Sequence, residues 1–394
     1  MEVEMKKLLT AESVCIGHPD KLCDLISDNI LDAAFRKDKA SRVACEVMAT
    51  KGKIIVAGEI TCSEKLDIKY IVKRTLREVG YNPRKFSIYV FLNTQSSDIA
   101  SGVNQSLEIR SGENDPYSLI GAGDQGTMYG YATNETKEML PLPLLLSHRI
   151  VKRLDKARKD KLIKGILPDG KAQVTIEYEK EKPARIETIV VSIHHHKDKS
   201  YEELKKEILY HILYPAFEDF PFDGDTEILI NPSGRFVIGG PTADTGLTGR
   251  KLMVDTYGGL TSHGGGALSG KDPTKVDRSG AYMARYIAKH IIWSDFADKC
   301  EVALSYAIGK ANPIAFSINT FGTGKVSDEI LTRACKDVFN LKPAAIIENL
   351  RLRDIHYSDT ATYGHFNSPL LPWENVDKYN EFKKAVEKYA DREN

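Results

Sequence analysis

The sequence predicts an α/β (α+β) protein of three similar domains, each a β-sheet packed with helices. Two observations carry this expectation. The order helix, β-hairpin, helix, strand recurs three times, and the hairpins begin at Val43, Ala172 and Cys300, spaced 129 and 128 residues apart. The stretches between these repeats are rich in glycine and charge, as befits loops that carry binding residues on a rigid scaffold. The length of 394 residues also exceeds what one hydrophobic core usually serves.

In the first repeat, residues 21–36 show helical periodicity, 43–48 and 54–61 pair as strands around Lys51-Gly52, 63–79 form a helix and 86–92 a strand. The second runs through a helix at 142–158, a hairpin at 172–179 and 186–194, a helix at 201–214 and a strand at 227–231. Ser200 and Glu203 make a capping box for its second helix, each side chain able to satisfy a free amide of the first turn. The third comprises a helix at 278–292, a hairpin at 300–308 and 314–321, a helix at 328–339 and a strand at 345–350. The corresponding domains are 1–100, 121–237 and 238–394. The long polar run from Gln95 to Ile120 supplies a flexible active-site loop at 101–120.

Composition excludes several function classes. Charged residues are 28% and hydrophobic residues 42%, and 55 Lys+Arg balance 55 Asp+Glu, so no global field draws the chain to nucleic acid or an anionic membrane. Any anion site must therefore be local. The first ten residues do not read as a signal peptide, and the longest apolar stretch, 139–146, is short and broken by Pro141 and Pro143. The six cysteines form no CxxC pair, so reduced thiols and a cytoplasmic location are expected.

Three connectors hold the chemistry. Gly17-His18-Pro19-Asp20-Lys21 opens a helix, Pro19 suiting its first position. There His18 and Lys21 could meet phosphate at unpaired amides and Asp20 could ligate a bridging Mg²⁺, or His-Pro-Asp could serve only as a helix cap. Gly121-Ala122-Gly123-Asp124-Gln125-Gly126 fits GxGxxG by letters, but no strand precedes it and Thr127 to Tyr131 is a poor helix start, so it reads as a tight loop presenting Asp124. The third connector runs from Asn231 through Gly234-Arg235-Phe236, Gly239-Gly240-Pro241, Asp244 and Gly249-Arg250-Lys251 to a second glycine cluster at 264–270, Lys271, Lys275 and Asp277. Gly265 to Lys271 spells GxxxxGK, yet Asp272 and Pro273 follow where a P-loop needs Ser or Thr. What remains is a local anion site of backbone amides, Arg250, Lys251, Lys271 and Lys275, with Asp277 as a metal ligand. The run His194-His195-His196 ends a strand, where alternation sends neighbours to opposite faces, and reads as a surface run rather than a metal site.

Together these motifs, with Gly58-Glu59-Ile60-Thr61, the 130–136 and 254–259 segments, Ser305 to Gly309 and Tyr363-Gly364-His365-Phe366, resemble the S-adenosylmethionine synthetases over about residues 8–380. The resemblance implies three domains about a pseudo-threefold axis, a homodimer or homotetramer with active sites between subunits, and transfer of the adenosyl group of ATP to L-methionine, with neither nucleic acid nor membrane as partner. It implies phosphate or ATP contacts at His18, Asp169, Lys171, Arg235, Phe236, Asp244, Ala267, Arg250, Lys251 and Lys271, of which His18, Lys171, Arg250 and Lys271 would be catalytic. Glu59, Gln95, Asp124, Asp244 and Lys275 would contact methionine or the adenosyl group. Asp20 and Asp277 would hold two Mg²⁺ per site, and Glu46 one K⁺. Ile16, Gly170, Ala243 and Leu268 depart from the family's usual residues. A non-catalytic ATP-binding subunit would lose site residues that this chain retains, and a small-molecule phosphotransferase would leave ADP.

Overall fold

The computed structural model describes residues 6–96, 103–366 and 368–391. In chain order the first third holds strand β1 (Lys7–Val14), helix α1 (Pro19–Lys37), the hairpin β2 (Arg42–Thr50) and β3 (Lys53–Thr61), helix α2 (Ile68–Val79) and strand β4 (Ser87–Asn93). Helix α3 (Leu107–Arg110) and strand β5 (Gly126–Thr133) lead to α4 (Leu142–Lys159), the hairpin β6 (Ile166–Glu179) and β7 (Lys182–His195), α5 (Tyr201–Ile208) and β8 (Glu227–Ile230). The last third holds β9 (Gly246–Leu247), α6 (Leu252–Asp255), α7 (Val276–Trp293), the hairpin β10 (Lys299–Tyr306) and β11 (Ala315–Asn319), α8 (Asp328–Val338), α9 (Pro343–Asn349) and α10 (Tyr379–Ala390).

Local chemistry sets the helix ends. His18 caps α1 and Pro19 takes its first position. In α2 the Asp67 side chain accepts the Tyr70 amide (3.0 Å), so the helix starts at Ile68 rather than at 63, and Gly80 ends it with φ 111°. Ser200 caps α5 through the Glu203 amide (3.5 Å). Beyond Ile208 the helix widens into a π turn over Leu209–Leu213 instead of running straight to 214. The strand expected at 345–350 is a helix, α9. Pro343 sits at its first turn, Ala344 and Ala345 favour helix over strand, and Arg351 closes it at φ 49°.

Three sheets follow the three hairpins, in the orders β4-β3-β2-β9, β1-β6-β7-β8 and β11-β10-β5. Each hairpin's first strand gains an antiparallel neighbour from a distant part of the chain: β9 beside β2, β1 beside β6 and β5 beside β10. The strands β1 and β5 were not anticipated from the sequence. In the first sheet Val43, Cys45, Val47, Ala49, Ile54 and Val56 turn inward, while Glu46, Glu59, Tyr89 and Phe91 occupy the open face. The first and third sheets share one hydrophobic core with α1, α2, α7 and α8, and the second sheet has its own with α4 and α5. All six cysteines are unpaired thiols.

Between β4 and β5, residues 97–102, which include the first two of the expected active-site loop, lie outside the described residues. The part from 103 onward is held to the body. Glu108 accepts the amides of Ala311 (2.9 Å) and Asn312 (3.0 Å), and Lys342 donates to Glu113 (2.8 Å), Asp115 (2.7 Å) and Ser118 (2.6 Å).

The third sheet is tied to the C-terminal segment by a buried ion cluster. Arg285 on α7 makes two 2.9 Å bonds to Glu374, Lys289 adds a third at 2.9 Å, and Arg285 also donates to the carbonyls of Tyr131, Glu138 and Met139. Removing the carboxylate strands two buried cations. Glu374→Ala should therefore cost about 3–5 kcal/mol of folding stability, read by chemical denaturation, whereas a loss under about 1 kcal/mol would show the cluster to be solvated.

Candidate active site

The sequence-derived candidates gather into two groups. The first forms where β1, α1 and β6 meet. Val14 pairs with Lys171, the Cys15 amide bonds the Gly170 carbonyl (2.9 Å) and the Gly17 amide the Pro168 carbonyl (3.2 Å), so the His18 connector is laced to the strand that carries Asp169 and Lys171. The connector after β8 closes over them. The Gly240 amide donates to Asp169 (2.7 Å), the Leu247 amide donates to Asp20 (3.0 Å), and Lys251 bonds the second Asp20 oxygen at 2.7 Å. Arg250 lies 3.8 Å from Asp20. Gly246 permits this approach, because a Cβ there would lie 2.1 Å from the Pro19 carbonyl carbon.

Lys171 is bound to Glu12 at 2.7 Å. Glu12 also lines, with residues 249–254, a cleft of about 270 Å³. The Phe236 carbonyl accepts the His195 amide (2.9 Å), its own amide donates to the His195 ring Nε2 (3.3 Å), and its ring stacks on the His194 ring at 5.5 Å and 30°. The histidine run is thus not a surface feature: His194 and His195 are buried because the connector folds back across the end of β7, and only His196 is exposed. Arg235 is exposed at the mouth of a second cleft of about 420 Å³ that His195, Lys197 and Lys199 also line. Asp244 is exposed, and its charge helps to raise Asp169.

Lys21 does not join this group. Its side chain is fully buried between Asp24 (2.8 Å) and Asp255, because a buried ammonium in this helix needs carboxylate partners more than the phosphate site needs it.

Electrostatics sharpen the roles. Burial lowers the His18 pKa to about 3, with the Lys251 charge adding to the shift, so the imidazole is neutral. Its Nδ1 accepts the Asp20 amide (3.3 Å), which leaves the proton on Nε2 as an available donor. Burial raises Asp20, but its bonds to Lys251 and the Leu247 amide outweigh that and hold it below the usual carboxylate range. Burial pushes Asp169 up to about 6 despite the Gly240 amide.

The second group sits along the glycine-rich connector before α7. Lys271 bonds Asp277, Lys275 bonds Asp272 at 2.5 Å, and the Gly265 amide donates to His263 (2.7 Å). The Gly123 amide reaches the Thr274 carbonyl (3.2 Å), which sets the loop bearing the exposed Asp124 against the backbone of residues 274–275. Ala267 abuts Gly249 and so touches the first group's loop. Glu46 and Glu59 share the open face of the first sheet, and the Gln95 amide donates weakly to Thr61 at its edge (3.4 Å). Among the described residues no hydrogen bond or ion pair joins the candidate side chains of one group to those of the other.

Sequence reasoning missed Glu12, Asp272, Asp24 and Asp255. The first lies on an unanticipated strand. Asp24 was legible as the residue one helical turn beyond Asp20.

Comparison with known proteins adds three matches and a relative. Residues 6–105 match the N-terminal domain, 119–236 the central domain and 238–375 the C-terminal domain of S-adenosylmethionine synthetase. The chain is 51% identical to the S-adenosylmethionine synthase of Finegoldia magna over 387 residues, covering 96% of this chain and 99% of that one.

Because the folded pKa of His18 lies below its unfolded value, the unfolded state binds more protons between pH 3 and 6.5. The contribution of neutral His18 to stability is therefore present above 6.5 and is lost as pH falls toward 3. Nitrogen NMR of histidine-labelled protein should find the Nε2–H tautomer and a His18 midpoint well below 6.5, whereas an ordinary midpoint would show an exposed ring.

Proposed function

The chain belongs to the S-adenosylmethionine synthetase family, and on that premise we propose which of its groups carry the reaction. It is a methionine adenosyltransferase, which transfers the adenosyl group of ATP to the sulfur of L-methionine and hydrolyses the triphosphate to pyrophosphate and phosphate. ATP and methionine are its substrates. A thioether sulfur is nucleophilic without losing a proton, so attack on C5′ of ATP needs no general base, only in-line alignment and a stabilised leaving group.

The leaving group is triphosphate, and the cations answer it. In this reading Lys171, Arg250 and Lys251 meet it from the first group and Lys271 from the second. The neutral His18 ring donates its Nε2–H to the oxygen departing from C5′. Asp169, Arg235, Phe236, Asp244 and Ala267 hold the nucleotide. Glu59, Gln95, Asp124, Asp244 and Lys275 hold methionine and the adenosyl group, and the carboxylates among them suit a product with a new sulfonium charge.

Mg²⁺ commonly takes one or two protein carboxylates and completes its shell with substrate phosphate and water. The donor set fits that habit. Asp20 and Asp277 are single carboxylates, each bonded to a lysine of the phosphate-binding set, and no cluster of three metal-ligating side chains occurs among the described residues. Asp20 and Asp277 would hold two Mg²⁺ per site and Glu46 one K⁺, supplying charge neutralisation on the polyphosphate.

The division of candidates into two groups supports active sites completed between subunits of a homodimer or homotetramer. Tyr89 and Phe91, 44% and 62% exposed on the open face beside Glu46 and Glu59, offer the apolar surface that a second copy would cover. Domains at 1–100, 121–237 and 238–394, with residues 101–120 as the active-site segment between the first two, complete the reading. No helix among the described residues is long and apolar enough to cross a membrane, and a cytoplasmic location accords with six unpaired thiols.

The observation that carries these assignments is the neutral His18 donor beside the Asp20–Lys251 ion pair. His18→Ala should lower kcat by about 10²–10³-fold while ATP affinity changes little, measured by product formation and by equilibrium binding of ATP. Weakened ATP binding with unchanged turnover would remove His18 from the reacting centre.

A further inference from the structure

Helix α1 places Asp20, Asp24, Asp28 and Asp32 one turn apart, and all four are buried. Each accepts main-chain amides from the last third of the chain. Asp20 takes Leu247 (3.0 Å), Asp24 takes Gly249 (2.8 Å), Asp28 takes Gly270 (2.8 Å), and Asp32 takes Tyr357 (2.7 Å) and Ser358 (3.0 Å). Asp24 has a second task. Its other oxygen accepts Lys21 at 2.8 Å, and Lys21 also bonds Asp255, which ends the helix that follows the same loop. The three side chains are 0%, 0% and 1% exposed.

The loop between these anchors is the one that bears Arg250 and Lys251. Its entry is held where Thr248 pairs with Val47 (2.9 Å) and its exit by Asp255, while Gly249 turns at φ 76°. The bond to Asp24 points the Gly249 amide inward at the residue before the two cations.

We propose that Asp24, held by Lys21, which Asp255 also binds, is a positioning residue that aims Arg250 and Lys251 at the triphosphate. It touches no substrate and acts through the peptide of Gly249. A buried carboxylate with both oxygens engaged has little freedom to shift, so the amide it holds is fixed to the helix that also presents Asp20 and His18. Adding or removing this one acceptor moves the cations relative to the reacting centre, and a displacement of an ångström is enough to slow catalysis.

This rests on the reading of Arg250 and Lys251 as triphosphate contacts, and the experiment separates the two. Asp24→Ala should lower kcat about 10–100-fold and weaken binding of inorganic tripolyphosphate by calorimetry, with the methionine KM unchanged. Asp24→Asn, which keeps an acceptor for the Gly249 amide, should restore most of both. Asp32→Asn, equally buried on the same helix but serving residues 357–358, should lower the melting temperature without either kinetic loss. Should Asp24→Ala not fold, Asp24→Glu displaces the acceptor by one methylene and should show the same fall in tripolyphosphate affinity. Wild-type kcat and tripolyphosphate affinity in Asp24→Ala, or in Asp24→Glu where only that variant folds, would overturn the proposal. So would equal kinetic losses in Asp32→Asn. Unchanged tripolyphosphate binding in both Arg250→Ala and Lys251→Ala would instead overturn the underlying assignment of those cations.

Discussion

The burial of charged groups along α1 is the constraint on which the rest of the molecule depends. A helix with Asp20, Lys21, Asp24, Asp28 and Asp32 out of water is tenable only if each charge finds partners. Beyond the Lys21–Asp24 pair, the partners come from residues more than two hundred positions away: the 246–255 loop, the 270–278 segment and the 357–358 turn. Arg278 makes the most complete pairing, with two 2.8 Å bonds to Asp28. Raised Asp28, Asp24 and Asp255 pKa values show that desolvation is strongly felt there, and the bonds to Arg278, Lys21 and amides oppose it. The helix that opens the first repeat therefore also organises the third.

Strand exchange has the same effect at a larger scale. β1, β5 and β9 each leave their own stretch of chain to extend another hairpin, so every sheet edge near a connector is locked to a different repeat. A loop anchored in this way at both ends can carry charge without becoming mobile. The glycine-rich connector at 239–251 is anchored in this way through β9, and that at 263–275 is fixed to the first sheet by the Cys45 amide on the Gly270 carbonyl (2.9 Å).

Within the site, the two candidate Mg²⁺ ligands and Glu12 are each paired with a candidate cation. Lys251 covers Asp20, Lys271 covers Asp277 and Lys171 covers Glu12. Such pairs keep opposite charges together in partly buried surroundings, and a polyanionic substrate competes for the ammonium groups. His18 stands apart because burial keeps it uncharged, so it offers a hydrogen bond without adding to the repulsion among cations.

Much of this was legible from local chemistry. Three hairpins at even spacing, caps at His18-Pro19 and Ser200, and clusters of glycine with Arg250, Lys251 and Lys271 all follow from short-range rules of periodicity, capping and phosphate affinity. The family followed from the order of those motifs. Other features were hidden because they depend on groups far apart in sequence. The 345–350 segment has enough apolar residues to pass for a strand, but Pro343 and the tertiary packing of Ile346 and Ile347 make it a helix. Lys21, adjacent to a phosphate-binding motif, turns inward because Asp255 waits 234 residues later. Sequence alone thus determined the three hairpins, the helix starts capped at His18-Pro19 and Ser200 and the chemical character of the connectors, since these are set by neighbours a few residues apart. Only the tertiary structure decided which charges face substrate and which are buried as scaffold, because desolvation and pairing are fixed by partners that the chain brings together only when it folds.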